Sequence, residues 1–205
     1  EKSIMYLMAR AAKQAGTPAI RTSSIRDVIA IKEETGLPVI GLVKVQYPGY
    51  EGFITPTMKE VDDLVAAGSD IVALDCTLRK RGDGSTVNEF IAQIREKYPD
   101  IILMADISNY EEGINAWKCG VDIVGTTMSG YTAYRSSVSD GPDYELMERL
   151  SRDINIPVIG EGRIHYPDQA VKALQTGAWA IVVGGAITRP LEIAMRFQNA
   201  IKESR

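Results

Sequence analysis

The sequence of 205 residues predicts an α/β barrel in which parallel strands alternate with helices. Apolar runs rich in valine and isoleucine recur along the whole chain, and an amphipathic segment separates each run from the next. Continuous apolar runs are typical of strands buried on both faces of a parallel sheet. Successive parallel strands need a crossover connection, which the amphipathic segments supply. The predicted strands span 18–21, 38–44, 71–75, 102–106, 123–127, 157–162 and 180–185.

Eight helices are predicted between and around these strands. In the first, apolar side chains recur at helical spacing and Gly16 is a suitable C-cap, while Gly36 ends the second. Thr55 or Thr57 could cap the third helix, and the last helix has proline at its first position. The helices are predicted to begin near Ile4, Ser24, Thr55 or Thr57, Thr86, Asn109, Pro142 or Asp143, Asp168 and Pro190.

Seven strands are one short of a closed eight-stranded barrel. We therefore expect a (β/α)8 TIM barrel whose first strand belongs before the first helix and is missing from this chain. The alternative is an open sheet of seven strands. Because no linker, low-complexity segment or change in composition divides the sequence, residues 1–205 are predicted to form one domain, N-terminally incomplete by that strand.

Composition argues against several classes of protein. The formal net charge is −4 and basic residues form no block, so a nucleic-acid partner is not expected. No apolar stretch reaches the roughly 18 residues that a membrane span needs, and no signal peptide is visible, which predicts a cytoplasmic protein. Cys76 and Cys119 are the only cysteines, too few for a disulfide framework or a zinc ribbon.

A polar residue or a glycine ends nearly every predicted strand. In α/β barrels and open α/β sheets, the carboxyl ends of the strands carry the active site. We therefore expect these residues to lie close together and to include the residues that bind the substrate. The set consists of Arg21, Lys44, Asp75, Asp106, Thr126, Thr127, Glu161, Gly162, Gly184 and Gly185.

Lys44 and Glu161 are the candidates for proton transfer. Lys44 ends an otherwise apolar strand, where desolvation and nearby cations would favour a neutral amine that can accept a proton. The alternative is an ion pair with Asp75 or Asp106. Glu161 could act as an acid or a base across the pocket from Lys44, or else pair with a nearby arginine, Arg163 or Arg189.

The segment VVGGAITRP predicts a phosphate site. Gly184 and Gly185 end a strand and precede a helix, so their backbone N–H groups could contact an anion, with a cationic contact from Arg189. Loops after the last two strands of such barrels commonly bind phosphate, and Gly162 ends the preceding strand. The alternative is a tight turn that needs glycine for its geometry alone. The chain has no G-x-G-x-x-G motif after a strand, so a nucleotide cofactor is not expected.

No metal site is predicted. Asp75 and Asp106 could bind a divalent ion, but without a histidine nearby, and with cations close, they favour hydrogen bonds to sugar hydroxyls. The single histidine, His165, lies in a polar segment and is interpreted as a loop residue. Cys76 has no histidine to activate it and is interpreted as a packing residue.

Six segments of the sequence, taken together and in order, resemble bacterial N-acetylmannosamine-6-phosphate 2-epimerases. They are GLVK, ALDCTLRKRGDG, MADISNYEEG, GTTMSGYT, IGEGRI and VVGGAITRP. The resemblance extends over essentially the whole chain. It implies a cytoplasmic (β/α)8 barrel of sialic-acid catabolism that interconverts N-acetylmannosamine 6-phosphate and N-acetylglucosamine 6-phosphate without a cofactor. It also suggests a homodimer, which the residues themselves do not predict.

The resemblance assigns roles to individual residues. It implies that Lys44 is the base, that Glu161 is the acid, and that Arg21, Asp106 and Arg189 match family residues of the site. The family's first strand carries a segment of the type SCQAL whose glutamine contacts the substrate. Nothing in this chain matches that segment.

The chemistry of the implied reaction suits these residues. C2 of the open-chain sugar lies next to an aldehyde, so its proton can be removed to give an enolate and returned on the other face. Hydrogen-bond donors would stabilise the developing oxyanion. The alternatives are another isomerase or lyase on a phosphosugar barrel, and a phosphosugar-binding protein without catalytic activity.

Overall fold

Seven parallel strands form the centre of the structure, a computed structural model that describes residues 3–135 and 141–204. Each strand pairs with the next along the chain, so the order in the sheet is the order in the sequence. This order confirms the predicted barrel, since a doubly wound sheet would reverse its strand order. The strands are β1 (Ile20–Ser23), β2 (Val39–Leu42), β3 (Ile71–Asp75), β4 (Ile102–Asp106), β5 (Ile123–Gly125), β6 (Val158–Glu161) and β7 (Ala180–Val182).

The barrel is open between its first and last strands. In residues 3–135 and 141–204, β1 pairs only with β2, and β7 pairs only with β6. Each of these two strands thus has one edge without a parallel partner in the described residues, as expected of a barrel that lacks one strand. The opening is where an eighth strand would lie in a closed barrel.

Nine α-helices and one 3₁₀ turn (Ala133–Arg135) occur in the described residues. Of the two predicted caps of the third helix, Thr57 is the N-cap, and its N–H donates a hydrogen bond of 3.0 Å to the Glu60 carboxylate. At two other predicted helix starts, the side chain of Ser24 accepts a hydrogen bond from the N–H of Asp27, and Asn109 does the same for Glu112. The helices are α1 (Met5–Gln14), α2 (Ile25–Thr35), α3 (Met58–Ala66), α4 (Val87–Lys97), α5 (Tyr110–Lys118), α6 (Tyr144–Asp153), α7 (Pro167–Gln175), α8 (Gly185–Thr188) and α9 (Pro190–Glu203).

Several strands end earlier than the apolar runs predict. β2 ends at Leu42, because the chain then bends and Lys44 forms an isolated antiparallel bridge with Ile54. β7 ends at Val182, and Gly185 already belongs to the short helix α8, which the sequence did not predict. In both places an apolar run continues past the last residue that finds a parallel partner.

Alternate residues of the strands supply two layers of core. Val72 and Leu74 of β3 belong to the large cluster between the sheet and the helices, whereas Ala73 belongs to the cluster inside the barrel. The same alternation separates Leu103 from Met104 in β4. All five side chains are fully buried. This period of two fixes which strand residues can face the site at the barrel's carboxyl end.

Helix α9 differs from the other long helices because none of its residues is buried. Its apolar side chains Leu191 and Phe197 are about 70% exposed, at 73% and 68%. Within the described part of the chain, no helix is both long and apolar enough to cross a membrane.

Candidate active site

A cavity of about 640 Å³ opens at the carboxyl ends of the strands. Its size lies within the range of about 300–1,000 Å³ that is usual for small-molecule sites. The loops after β2, β5, β6 and β7 contribute its walls. Seven predicted residues line it: Lys44, Thr127, Glu161, Gly162, Gly184, Gly185 and Arg189.

Lys44 lines this cavity with its side chain free of ion pairs. No carboxylate in the described residues lies within salt-bridge distance of its amine, and the residue is exposed. The predicted structural partners are engaged elsewhere: Asp75 pairs with Arg79 at 2.5 Å and Asp106 with Arg21 at 2.7 Å. The alternative of a structural ion pair is therefore not observed. Lys44 is less desolvated than its apolar strand suggests.

Glu161 ends β6 and is held from two sides. Its backbone is fixed by Thr126, whose hydroxyl donates to the carbonyl of Glu161 at 2.9 Å and accepts from its N–H at 3.0 Å. Its carboxylate lies 3.2 Å from Nε of Arg21 and 3.2 Å from the hydroxyl of Thr127. Its charged partner is thus Arg21, and neither Arg163 nor Arg189.

The pKa of the Glu161 carboxyl is raised from its ordinary value. Burial is the main cause, and the negative charge of Asp106 adds to it, while Arg21, Thr127 and Lys44 act in the opposite direction. A carboxyl group that keeps its proton toward neutral pH can act as a general acid. The environment of Glu161 therefore suits the predicted acid.

Arg21 and Asp106 form a buried ion pair next to Glu161 and do not line the cavity in the described residues. The Arg21 side chain is 6% exposed and that of Asp106 is fully buried. Burial lowers the pKa of the Arg21 guanidinium, but the charges of Asp106 and Glu161 more than offset this and raise it overall. Arg21 is therefore a fixed positive charge behind the site.

Asp75 was also predicted to belong to the site, but it forms no hydrogen bond or ion pair with Arg21 or Glu161. It accepts hydrogen bonds from the backbone N–H and the hydroxyl of Thr77, at 3.1 and 2.6 Å, and it pairs with Arg79. Burial raises the pKa of its carboxyl, and Arg79 opposes that effect. The hydrogen bonds and the ion pair of its side chain stay within its own loop, and Asp75 does not line the main cavity.

The glycines of the predicted phosphate site line the cavity. A Cβ atom added at Gly184 would meet no atom of residues 3–135 and 141–204 within 4 Å apart from its chain neighbours, so this backbone faces open space. Gly162 has a φ of +107°, a conformation that side chains rarely adopt. The Arg189 side chain lies next to Gly185, with its Cδ 3.1 Å from where a Cβ at Gly185 would be, and it forms an ion pair of 2.8 Å with Glu192.

Sequence reasoning missed several residues of the cavity wall. Glu192 was missed although it stands three residues after Arg189 on a predicted helix, the spacing at which side chains of a helix meet. His165 lies in a loop, as predicted, but it also lines the cavity. Tyr131 lines it too, with its ring centroid 5.6 Å from the guanidinium of Arg163. Their positions in loops that follow strands were the available signal.

Two smaller expectations concern metals and thiols. Within residues 3–135 and 141–204, no three histidine, cysteine or carboxylate side chains are placed to hold a metal ion. Cys76 is fully buried, which raises the pKa of its thiol well above the ordinary value. A buried thiol of this kind suits a packing role.

Comparison with known proteins identifies the family. A family model described as "Putative N-acetylmannosamine-6-phosphate epimerase" matches residues 5–203. A protein of Caldanaerobacter subterraneus named "Putative N-acetylmannosamine-6-phosphate 2-epimerase" is 56% identical over 202 residues, covering 98% of this chain and 85% of the relative. A protein of the same name from Clostridium perfringens is 50% identical, covering 97% of this chain and 89% of the relative.

Solved structures give the same result. The structure of the N-acetylmannosamine-6-phosphate 2-epimerase from Clostridium perfringens matches with a TM-score of 0.91 and 49% identity, covering 96% of this chain and 85% of that one. A thiamine phosphate pyrophosphorylase from Pyrococcus furiosus, 21% identical with a TM-score of 0.61, shares the fold alone. The match of sequence, fold and strand-end motifs confirms the resemblance, and the chain belongs to the N-acetylmannosamine-6-phosphate 2-epimerase family.

Proposed function

We propose that this protein interconverts N-acetylmannosamine 6-phosphate and N-acetylglucosamine 6-phosphate by removing and returning the proton at C2. Family membership supports the substrate and the type of reaction. The observation that carries the proposal is the placement of Lys44 and Glu161 on the walls of one cavity. Lys44 has no ion pair with any described residue, and the pKa of the Glu161 carboxyl is raised.

In this mechanism Lys44 and Glu161 act on opposite faces of C2. The open-chain sugar presents an acidic C–H next to its aldehyde. The neutral amine of Lys44 accepts the C2 proton, and an enolate forms. Glu161 then donates its own proton to the other face of C2, and the reverse reaction exchanges the two roles. Both transfers use side chains, so we expect no cofactor and no catalytic metal.

The phosphate group is assigned to the glycines that line the cavity. Backbone N–H groups at Gly162, Gly184 and Gly185 would hold it, with Arg189 as a cationic contact. Binding energy from a group far from C2 can orient the reacting carbon. Glu192 pairs with Arg189 in the structure and would have to share it with the phosphate.

Thr127 lines the cavity and is proposed to bind the sugar. Direct contacts of the sugar with Arg21, Asp75 and Asp106 stay predictions, because these side chains lie behind or beside the cavity wall. A single domain, a homodimer and a cytoplasmic location are further expectations that follow from the sequence and the resemblance.

An NMR time course in D₂O with N-acetylmannosamine 6-phosphate tests the function. We expect the signals of N-acetylglucosamine 6-phosphate to appear with deuterium at C2, and the unphosphorylated sugar to react poorly. Binding without turnover would favour a phosphosugar-binding protein, and products other than the C2 epimer would favour another isomerase or a lyase. Equal turnover of the two sugars would remove the phosphate site from the mechanism.

A further inference from the structure

Two hydrogen-bond donors are shared unequally between Asp106 and Glu161. The guanidinium of Arg21 donates a hydrogen bond of 2.7 Å to Asp106, whereas its Nε lies 3.2 Å from Glu161. The hydroxyl of Thr127 lies 2.6 Å from Asp106 and 3.2 Å from Glu161. Both donors are therefore closer to Asp106.

The hydroxyl of Thr127 carries one proton and can donate it to only one carboxyl group. Because its contact with Asp106 is the shorter, we assign this donated hydrogen bond to Asp106. The lone pairs of the hydroxyl then face Glu161, and a carboxyl group can hydrogen-bond to a lone pair only by donating a proton. All three groups are therefore hydrogen-bonded when Glu161 is protonated and Asp106 is ionised.

The charge balance leads to the same assignment. Arg21 supplies one positive charge to two carboxyl groups, and two carboxylates that share one site cannot both ionise easily. The Asp106 side chain is fully buried, so its charge needs the nearby cation. The Glu161 side chain is 17% exposed and faces the cavity, where a proton could reach the substrate.

We propose that Asp106 is a positioning residue that holds Arg21 and Thr127 to itself and so leaves Glu161 as the carboxyl group that carries the proton. The meaning of that proton for catalysis rests on the proposed function, in which Glu161 delivers it to C2. The distribution of charge between Asp106 and Glu161 is argued from their contacts and does not depend on the proposed function.

The charged and polar groups that face Glu161 come from four other strands or strand ends. They are Arg21 on β1, Lys44 after β2, Asp106 on β4 and Thr127 after β5. Replacing Asp106 with asparagine removes one negative charge, and the guanidinium of Arg21 loses the closer of its two carboxylate partners. Both changes favour ionised Glu161, so its pKa should fall, while the contribution of Lys44 stays the same.

The test is an NMR titration of side-chain carboxyl carbons in the ¹³C-labelled full chain without substrate. Glu161 and Asp106 are assigned by through-bond correlations, and Glu161→Gln confirms the first assignment. In Asp106→Asn we expect Glu161 to titrate about one to three pH units lower than in the unsubstituted protein, the range typical of a gained cation. Asp75→Asn is the matched control, because Asp75 ends the neighbouring strand in register with Asp106 but contacts Thr77 and Arg79.

An unchanged or raised titration of Glu161 in Asp106→Asn would overturn the proposal, and so would an equal fall in Asp75→Asn. If Asp106→Asn does not fold, the unsubstituted protein decides: Glu161 must take up its proton at a higher pH than Asp106, and the reverse order refutes the proposal. The titration uses no substrate, so an absence of epimerase turnover would contradict the proposed function and leave this result intact.

Discussion

At the scale of single residues, the candidate site depends on which polar groups at the strand ends have partners. Arg21, Asp75 and Asp106 are each paired with an opposite charge, which satisfies groups that would be costly to bury alone. Lys44 has no such partner in the described residues and lies on the cavity wall. An amine without a carboxylate partner next to a cavity is available to a substrate, and this separates Lys44 from the paired residues around it.

Replacing Lys44 with methionine should abolish proton transfer and spare the fold. The substitution keeps much of the side chain's bulk but removes the amine. A positioned acid or base typically contributes about 10²–10⁴-fold, so we expect a loss of kcat of that order or more. Steady-state kinetics and thermal unfolding check both parts, and Lys59→Met, on the exposed surface of α3, is the control. Near-normal turnover of the Lys44 variant would end this mechanism.

Glu161→Gln keeps the shape of the side chain and removes the proton that the mechanism requires. We expect turnover to fall by a factor similar to that of the Lys44 variant. Exchange of the C2 proton with D₂O, followed by NMR for each sugar separately, should be lost for at least one epimer. If the variant exchanged both epimers at the normal rate, Glu161 would have no part in proton transfer.

At the scale of elements, the sequence predicted strands well where the chain leaves the barrel directly after a buried residue. The bounds of β3 and β4 match the apolar runs, because each ends in a buried aspartate and the two aspartates are in register. The run at β2 misleads, since Val43 and Lys44 pair with the returning chain near Thr55 and Ile54. That contact forms only when the loop folds back, so no local pattern could show it.

The candidate site was predictable to a similar extent. Seven predicted residues line the cavity because each stands at the carboxyl end of a strand or in the loop after it, and parallel strands bring such positions together. The sharing of Arg21 between Asp106 and Glu161 was not predicted. It depends on side-chain directions across β1, β4 and β6, which are far apart in the sequence.

The loop between β7 and α8 permits a clean test of the phosphate site. In Gly184→Val the new side chain would enter open space, since its Cβ would have no atom of the described residues within 4 Å apart from its chain neighbours, so the fold should persist. The side chain would block the approach of a phosphate group to the backbone. We expect KM for the phosphorylated sugar to rise by about ten- to a hundredfold. Turnover of the unphosphorylated sugar should stay at its low level, and an unchanged KM for the phosphorylated substrate would contradict the assignment.

At the scale of the whole molecule, the barrel interior connects the strands from β2 to β7. The inner cluster contains buried side chains from β2 through β6, including Ile40 and Ile159, and Ala180 and Val182 of β7 pack against it. The larger outer cluster extends from Ala9 of α1 to β6. The strands that precede Lys44, Glu161 and the glycine loop (Gly184 and Gly185) therefore share one core. A loss of packing at one strand is expected to affect the others.

The two tryptophans can test whether the chain unfolds as one unit. Trp117 lies on α5 and packs against the outer cluster, whereas Trp179 is 70% exposed just before β7, near the other end of the chain. Because the inner cluster joins these regions, the single-tryptophan variants Trp117→Phe and Trp179→Phe should show the same midpoint of urea unfolding by fluorescence as by circular dichroism. Two separate midpoints would mean that β7 and the helices after it unfold independently of the rest of the barrel. The predicted single domain would then be wrong, and the glycine loop could be lost while Lys44 and Glu161 remain in place.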